Sequence, residues 1–246
     1  MQWVPETARP KILLIQFRGV GDVVLVTPLL DALRQLWPEA EIHWLTEPRM
    51  PELFLGDPRV HAFWLRRRGP ALAPLARALR AERFDLVVDS QSLPVPAKLS
   101  WATGARSVGF KKRGRTPFYT WAVALSDHAG TGYTADHKLD LLRALGHRPL
   151  LSEPRLCPHD APHAVWENLP DHRRAVVVPS TAVAHKRWPA ERFVAVMEAV
   201  QSRAPTAFVV AGGPGEQDQV RAVADGCGFP VSPITANSLG EFVRIL

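Results

Sequence analysis

The sequence predicts an α/β fold built from two tandem, doubly wound domains with parallel sheets. Short apolar runs alternate with longer stretches whose apolar residues recur at helical spacing, the pattern of βαβ units. The alternation stops once, at 147–173, where five prolines occur in 27 residues, and then restarts. Proline at this density disfavours both helices and the hydrogen-bond ladders of sheets. We therefore expect a first domain at 1–146, a linker at 147–173 and a second domain at 174–246.

Strands of the first domain are predicted where Ile, Leu and Val cluster between turn residues. These runs are 11–17, 41–45, 60–65, 84–89 and 107–110. Helices are predicted where apolar residues recur every three or four positions, at 23–36, 71–82, 97–103 and 135–145. Trp37-Pro38, Gly104 and Gly146 supply the stop signals.

The same reasoning continues in the second domain. Strands are predicted at 175–178, 206–211 and 230–234, and helices at 190–202, 217–225 and 238–246. Ligands of doubly wound sheets bind beyond the carboxyl ends of the strands. The loops after Phe17, Asp89, Val178 and Ala211 are therefore the places to look for chemistry.

Composition narrows the class of protein. The net charge is +6, and arginine supplies 24 of the 30 basic residues, which favours an anionic partner; genomic base composition is the competing explanation. Cys157 and Cys227 are too few and too distant for a disulfide scaffold or a cysteine-rich zinc site. No apolar run reaches the ~20 residues of a membrane helix, and the first ten residues lack the apolar centre of a signal peptide. We expect a soluble, cytoplasmic protein.

The loop after the first strand carries Gly19, Gly21 and Asp22. A dinucleotide-binding fingerprint would need a third glycine at the position of Val24, so NAD binding is excluded. Asp22 remains as an aspartate on a glycine turn at the start of a helix. Either it caps that helix or it serves the reaction.

Two loops of the second domain have the residues of a nucleotide site. After the strand at 175–178, Ser180, Thr181 and Lys186 could meet phosphate, although their spacing is not that of a P-loop. The alternative is a solvated basic turn with Trp188 as a core residue. After the strand at 206–211, glycines 212 and 213 allow close approach of a ligand, and Glu216 could bind a ribose diol. The alternative for Glu216 is helix capping.

An ordered set of segments resembles the bacterial lipopolysaccharide heptosyltransferases, glycosyltransferase family nine. The set comprises 21–28 (GDVVLVTP), 84–91 (FDLVVDSQ), 106–110, His137, 186–189 (KRWP) and 212–216 (GGPGE). The resemblance implies a GT-B fold of two Rossmann-like domains. It also implies transfer of a heptose from ADP-heptose to the inner core, with inversion and with neither metal nor cofactor.

The resemblance also implies roles for individual residues. Asp22 corresponds to the general base, on a loop expected to face the interdomain cleft. Lys186 corresponds to the residue that meets the donor diphosphate. The donor-binding set is completed by Ser180, Thr181, Gly212, Gly213 and Glu216. Chemistry agrees, since an inverting transfer needs one base on the acceptor hydroxyl and a cation on the leaving ADP.

Basic residues around the first domain are expected to bind an anionic glycolipid acceptor. The predicted acceptor-binding set is Arg18, Gln91, Lys111, Lys112, Arg113 and Arg115, with a second basic cluster at 66–68. Phe118, Tyr119 and Trp121 accompany the basic residues, a mixture suited to peripheral contact with the inner membrane. Nucleic acid is the competing partner; it is disfavoured because no nucleic-acid module accompanies the cluster. A solvated basic loop is the further alternative for either cluster.

One feature departs from the family pattern. The family carries an Asp-(Ser/Thr)-Gly-x-x-His motif shortly after the helix that 238–246 begins, and this sequence ends before it. Only 72 residues run from Ala175 to Leu246, against roughly 100–150 for a typical domain. We therefore expect an incomplete second domain that is looser than the first. A noncatalytic remnant that binds a nucleotide or a partner is the alternative function.

Overall fold

The computed structural model describes residues 2–17, 19–67, 69, 72–124, 132–157, 163–167, 169, 173–181 and 183–246. They form two compact units, Met1–Cys157 and Pro158–Leu246. The division falls inside the predicted linker at 147–173. Among the described helices, none is long and apolar enough to cross a membrane.

The first unit contains a parallel sheet with strand order β3-β2-β1-β4-β5-β6. Its strands are β1 (Lys11–Ile15), β2 (Glu41–Thr46), β3 (Ala62–Leu65), β4 (Leu86–Asp89), β5 (Arg106–Phe110) and β6 (Trp121–Val123). The five predicted strands are confirmed, each with a shift of one or two residues at one end. The sequence analysis missed β6, a strand of only three residues. Strand order reverses between β1 and β4, and this reversal locates the candidate site.

The helices of the first unit are α1 (Val20–Val24), α2 (Thr27–Leu36), α3 (Ala73–Ala81), α4 (Pro94–Ala102) and α5 (Thr134–Arg143). The single helix predicted at 23–36 is wrong, because a turn at 25–26 separates α1 from α2. Pro28 lies in the first turn of α2, where a missing N–H costs least. The Thr27 hydroxyl donates to the Val24 carbonyl across the break (2.7 Å).

Both faces of the first sheet are covered, as parallel sheets require. Residues 12–15 of β1 are completely buried. Leu79 of α3 packs in one core cluster with Leu13 and Ile15, and Leu72 and Leu75 pack against it. The predicted apolar face of α3 is therefore confirmed.

A buried ion network fastens the segment after α5 to this unit. Arg59 Nη1 lies 2.8 Å from Asp31 Oδ1, and Arg59 Nη2 lies 2.6 Å from Asp57 Oδ2. Arg155 also binds Asp31 (3.0 Å), and its N–H donates to Thr27 Oγ1. Burial by itself would raise the pKa of Asp31, but hydrogen bonds from Arg155 and Arg59 outweigh burial and lower that pKa. Part of the predicted linker thus packs on the first unit.

The second unit contains a three-stranded parallel sheet, in the order β7-β8-β9. Its elements are β7 (Arg173–Val177), α6 (Ala190–Arg203), β8 (Thr206–Gly212), α7 (Gln217–Ala224), β9 (Ser232–Thr235) and α8 (Leu239–Ile245). All six predicted elements are confirmed. Every residue of β8 is buried, with Val209 in one core cluster and Val210 in the other. The expected looseness of this unit stays a prediction.

The buried ion network gives a stability prediction. Arg59→Met should lower the free energy of unfolding by about 3–5 kcal/mol, because it removes the cation paired with buried Asp57 and one of the two cations paired with buried Asp31. The matched control is Lys11→Met. Lys11 pairs with Glu82 (3.1 Å), and the two side chains are 37% and 31% exposed, so the loss should stay below about 1 kcal/mol. Urea unfolding of both variants measures this, and equal losses would contradict the account.

Candidate functional site

The candidate site of the first unit lies where strand order reverses, at the carboxyl ends of β1 and β4. Crevices at such reversals are where doubly wound sheets bind ligands. The loops after the two strands are joined, because the Phe17 N–H donates to Gln91 Oε1 (3.1 Å). The Ser90 hydroxyl also donates to the Ile15 carbonyl (3.0 Å).

Asp22 is exposed on α1, close to this point. The residue that precedes α1 is Gly19, with φ +84°, a conformation that favours glycine. A Cβ at Gly19 would also lie 2.6 Å from Asp22 Oδ2. Because Gly19 occupies the N-cap and no side chain caps this helix, the capping alternative for Asp22 is wrong.

Asp89 at the end of β4 is completely buried and fully engaged. Its Oδ2 accepts from the Tyr119 hydroxyl (2.6 Å), and its Oδ1 accepts from the N–H groups of Gln91 and Ser92. Burial raises the pKa of Asp89 to about 6 against the effect of these hydrogen bonds. A Cβ at Gly109 would lie 2.5 Å from the Tyr119 ring, so the glycine makes room for this contact.

Lys138 of α5 is a site residue that the sequence analysis missed. Its ammonium group donates to the Ser90 carbonyl (2.5 Å) and lies 6.0 Å from the centre of the Phe110 ring. Burial lowers the pKa of Lys138, while the carboxylates of Asp22 and Asp89 act in the opposite direction. The sequence did contain one signal for this residue, which was its position in the helix. Residue 138 falls on the apolar stripe of residues 135, 139 and 142, where a lysine is unusual.

A cavity of about 290 Å³ opens beside the joined loops, with Phe17, Gln91 and Arg66 in its lining. The Arg66 guanidinium lies 5.7 Å from the centre of the Phe17 ring and 4.0 Å from Glu47. A second cavity, of about 440 Å³, shares Glu47 and Arg66 and adds Arg67. Together, the two cavities form a cationic crevice with apolar walls.

The other predicted acceptor residues have mixed positions. Lys111, Lys112, Arg113 and Arg115 follow β5, with the first and third of them exposed and the other two half-buried. Arg18 and Arg68 lie outside the described residues. Tyr119 is buried on Asp89, so its predicted part in membrane contact is wrong. Trp101 is instead 66% exposed and meets Phe118 edge to face.

In the second unit, the loops after β7 and β8 are brought together by Glu216. Its Oε2 accepts from the Ser180 hydroxyl (2.6 Å) and from the Gly213 N–H (2.7 Å). Glu216 stands at the N-cap of α7, but its side chain makes no capping hydrogen bond, so the capping alternative is wrong. Gly212 is needed for packing, because a Cβ there would lie 2.7 Å from Val220 Cγ2.

Lys186 and Thr181 are not part of the contact between Ser180 and Glu216. Lys186 is exposed at the end of a short 3-10 helix, Ala184–Lys186. Thr181 Oγ1 accepts from the Val183 N–H (3.4 Å). In the described part of the chain, no hydrogen bond links Lys186 to Ser180 or Glu216. Trp188 is 45% exposed and meets Phe193 edge to face, so the alternative of a core tryptophan is wrong.

One cluster among the described residues has the composition of a metal site: Glu41, His43 and His61, with ligand atoms within 4.8 Å of one another. Trp64 Nε1 donates to His43 Nδ1 (3.0 Å), which leaves the proton of the neutral ring on Nε2. Histidines that bind metal donate from their second nitrogen instead. The cluster, at the amino ends of β2 and β3, therefore fits a structural role better than a metal centre.

Comparison with known proteins gives a consistent picture. Residues 72–246 match the family model described as "Glycosyltransferase family 9 (heptosyltransferase)". "Lipopolysaccharide heptosyltransferase 3" of Escherichia coli is 25% identical over 237 residues, which cover 88% of this chain and 68% of that protein.

Solved structures agree at the level of the fold. A glycosyl transferase family 9 protein from Veillonella parvula DSM 2008 has a TM-score of 0.77 at 23% identity, covering 96% of this chain and 72% of that one. E. coli heptosyltransferase WaaC with ADP-2-deoxy-2-fluoro heptose has a TM-score of 0.73 at 18% identity, and the match covers 96% of this chain and 79% of that one. The predicted GT-B fold class is confirmed.

Asp89 gives a prediction on pH dependence. Its folded-state pKa is raised, so the stability that Asp89 contributes is fully present below about pH 4 and is lost as the pH rises through 6. Between pH 4 and 7, the free energy of unfolding of the natural chain should fall by about 2–3 kcal/mol relative to Asp89→Asn. Exposed Asp225→Asn is the control and should show no such trend. If the difference in the free energy of unfolding between the natural chain and Asp89→Asn does not change with pH, the assignment of a raised pKa to Asp89 is wrong.

Proposed function

The chain belongs to glycosyltransferase family 9, and from this premise we propose that it moves a heptose from ADP-heptose to an anionic glycolipid of the lipopolysaccharide core. The observation that carries the proposal is the placement of Asp22. An exposed carboxylate stands on a turn that requires glycine, beside the crevice where a doubly wound sheet binds ligands. ADP and ADP-linked heptose analogues are bound by solved relatives with this fold.

The loops after β7 and β8 are the proposed donor site. Vicinal ribose hydroxyls are hydrogen-bond donors, and a fixed carboxylate is a suitable acceptor for them. Ser180 and the Gly213 N–H fix Oε2 of Glu216, which holds the carboxylate in place to accept from a diol. Ser180 therefore supports Glu216 in this scheme, and Thr181 and Lys186 are left to meet phosphate.

The proposed reaction is a single displacement. The acceptor hydroxyl gives its proton to Asp22 as its oxygen bonds to the anomeric carbon, and the bond from that carbon to the diphosphate breaks. ADP leaves with the electron pair of the broken bond. Asp22 ends protonated, and the configuration at the anomeric carbon is inverted. Lys186 and the N–H groups that begin α6 offset the charge on ADP; the scheme uses no metal ion and no further cofactor.

The acceptor is proposed to enter the cationic crevice at Arg66 and Gln91. A guanidinium matches phosphate and carboxylate groups of an inner-core sugar, and the basic residues at 111–115 extend the positive surface. Exposed Trp101 and this basic segment suit peripheral contact with the cytoplasmic face of the inner membrane. Nucleic acid is not a partner in this proposal.

Asp22→Asn tests the base. Turnover should fall by about 10²–10⁴-fold because no group remains to take the proton, while the Kd for ADP stays nearly unchanged. Asp225→Asn serves as the control and should keep both properties. Near-normal turnover of Asp22→Asn would remove Asp22 from the chemistry. If the natural chain binds ADP but transfers no sugar, the noncatalytic alternative is the better description.

The donor site is tested by comparing ADP with adenosine in calorimetry. Lys186→Ala should weaken ADP binding about tenfold and leave adenosine binding nearly unchanged, because the lost partner is phosphate. Glu216→Ala should weaken both ligands to a similar degree, because the lost partner is ribose. Ser180→Ala should follow Glu216→Ala with a smaller effect. If Lys186→Ala weakens ADP and adenosine equally, the phosphate assignment is wrong.

A further inference from the structure

We propose that Gln91 selects an oxyanion of the acceptor, a carboxylate or a phosphate, because the fold leaves only the donor end of its amide free to bind. This inference deepens the proposed function, on which the identification of the ligand as the acceptor rests. The family resemblance gives Gln91 a place in the acceptor-binding set. The hydrogen bonds of its loop give it an orientation, and the orientation decides which chemical group it can bind.

The orientation of the Gln91 amide is set by a backbone group. The Phe17 N–H lies 3.1 Å from Gln91 Oε1, and a backbone N–H can only donate, so the amide oxygen must face it. The Nε2 group, with its two N–H bonds, has no hydrogen-bond partner among the described residues. Gln91 is half-buried and lines the cavity of about 290 Å³. A ligand in this cavity therefore meets Gln91 as a donor.

The backbone at Gln91 is held by the same loop. The N–H groups of Gln91 and Ser92 both donate to Asp89 Oδ1, at 3.0 and 2.8 Å. Ser92 is completely buried, and its φ of +50° is a left-handed conformation that is uncommon outside glycine. The Ser92 hydroxyl oxygen accepts from the Phe110 N–H (2.7 Å), a contact that helps to keep this strained residue in place. The loop thus fixes the point from which the Gln91 side chain extends.

Arg66 supplies a second donor in the same cavity. Its Nε atom is buried and has no hydrogen-bond partner within the described part of the chain, while Glu47 lies 4.0 Å from its Nη1 atom. A buried donor without a partner is costly unless a ligand or water satisfies it. Gln91 and Arg66 together offer donors that match two oxygens of one carboxylate or phosphate.

The charge around the cavity favours an anion over a neutral hydroxyl. In the linings of this cavity and its neighbour, arginines 49, 66 and 67 accompany a single glutamate, Glu47. The segment 90–124, which contains Gln91, carries six basic residues and no acidic residue. A positive potential attracts an oxyanion and does little for a hydroxyl. The group that fits the free N–H bonds of Gln91 is therefore an oxyanion.

Gln91→Glu separates ligand binding from a structural role. A glutamate still accepts from the Phe17 N–H, so the free energy of unfolding should be kept, but a negative charge replaces the free donor. Binding of a deacylated core oligosaccharide, measured by calorimetry without a sugar donor, should weaken about 100-fold. Gln201→Glu is the matched control, because Gln201 Oε1 also accepts from a backbone N–H, that of Thr206 (2.9 Å). Its Kd should equal that of the natural chain.

Chemical treatment of the oligosaccharide identifies the oxyanion. Esterification neutralises its carboxylates, and phosphatase removes its phosphates. The treatment that removes the bound group should weaken binding to the natural chain about tenfold and should leave the natural chain and Gln91→Glu with similar Kd values.

Two results would overturn the inference. One is that Gln91→Glu binds the untreated oligosaccharide as the natural chain does; the other is that neither treatment removes the difference between the two chains. If binding changes as expected but the natural chain transfers no sugar, the oxyanion site stands and the proposed function is what fails.

Discussion

Between β1 and β4 the strand order reverses, so the chain leaves the two strands toward opposite faces of the sheet. The N–H groups of Gln16 and Ser90 still bond to the Leu45 and Ile15 carbonyls, but the N–H groups that follow them have no ladder partner. Side chains supply the missing hydrogen bonds. Gln91 accepts from the Phe17 N–H, Asp89 accepts from two N–H groups of its own loop, and the Ser92 hydroxyl accepts from the Phe110 N–H. Unpaired buried backbone groups are costly, and the polar residues at this point are there to prevent that cost. The same requirement places a buried carboxylate, Asp89, at the reversal of strand order.

The second unit solves the same problem in a similar way. β7 and β8 end side by side, and Glu216 accepts from the Gly213 N–H and the Ser180 hydroxyl. In both units a carboxylate at or shortly after the end of a parallel strand accepts a hydrogen bond from the backbone and is thereby held in place. A group held by the fold needs no reorganisation when a ligand arrives, which is an advantage for recognition and for catalysis alike. The loops after strands consequently serve stability and chemistry with the same atoms.

Most of the fold could be predicted because alternation of apolar runs and helical stretches is local information. The failures have physical causes. Apolar spacing runs straight through the turn at 25–26, so α1 and α2 looked like one helix. β6 is three residues long and lies among basic and aromatic residues that suggested a surface. Tyr119 was assigned to that surface because nothing local reveals its bond to Asp89, 30 residues earlier. Asp22 and Glu216 could be found from loop motifs, whereas Lys138 and Asp89 depend on contacts distant in sequence.

The central claim is a direct displacement promoted by one carboxylate at the reversal of strand order. The configuration of the new glycosidic bond tests it most directly. The chain would be incubated with ADP-heptose and a deacylated core acceptor, and the anomeric configuration of the product read by NMR. The account predicts inversion relative to the donor, with one ADP released for each sugar transferred. Retention would contradict it, because a single in-line displacement at the anomeric carbon inverts the configuration.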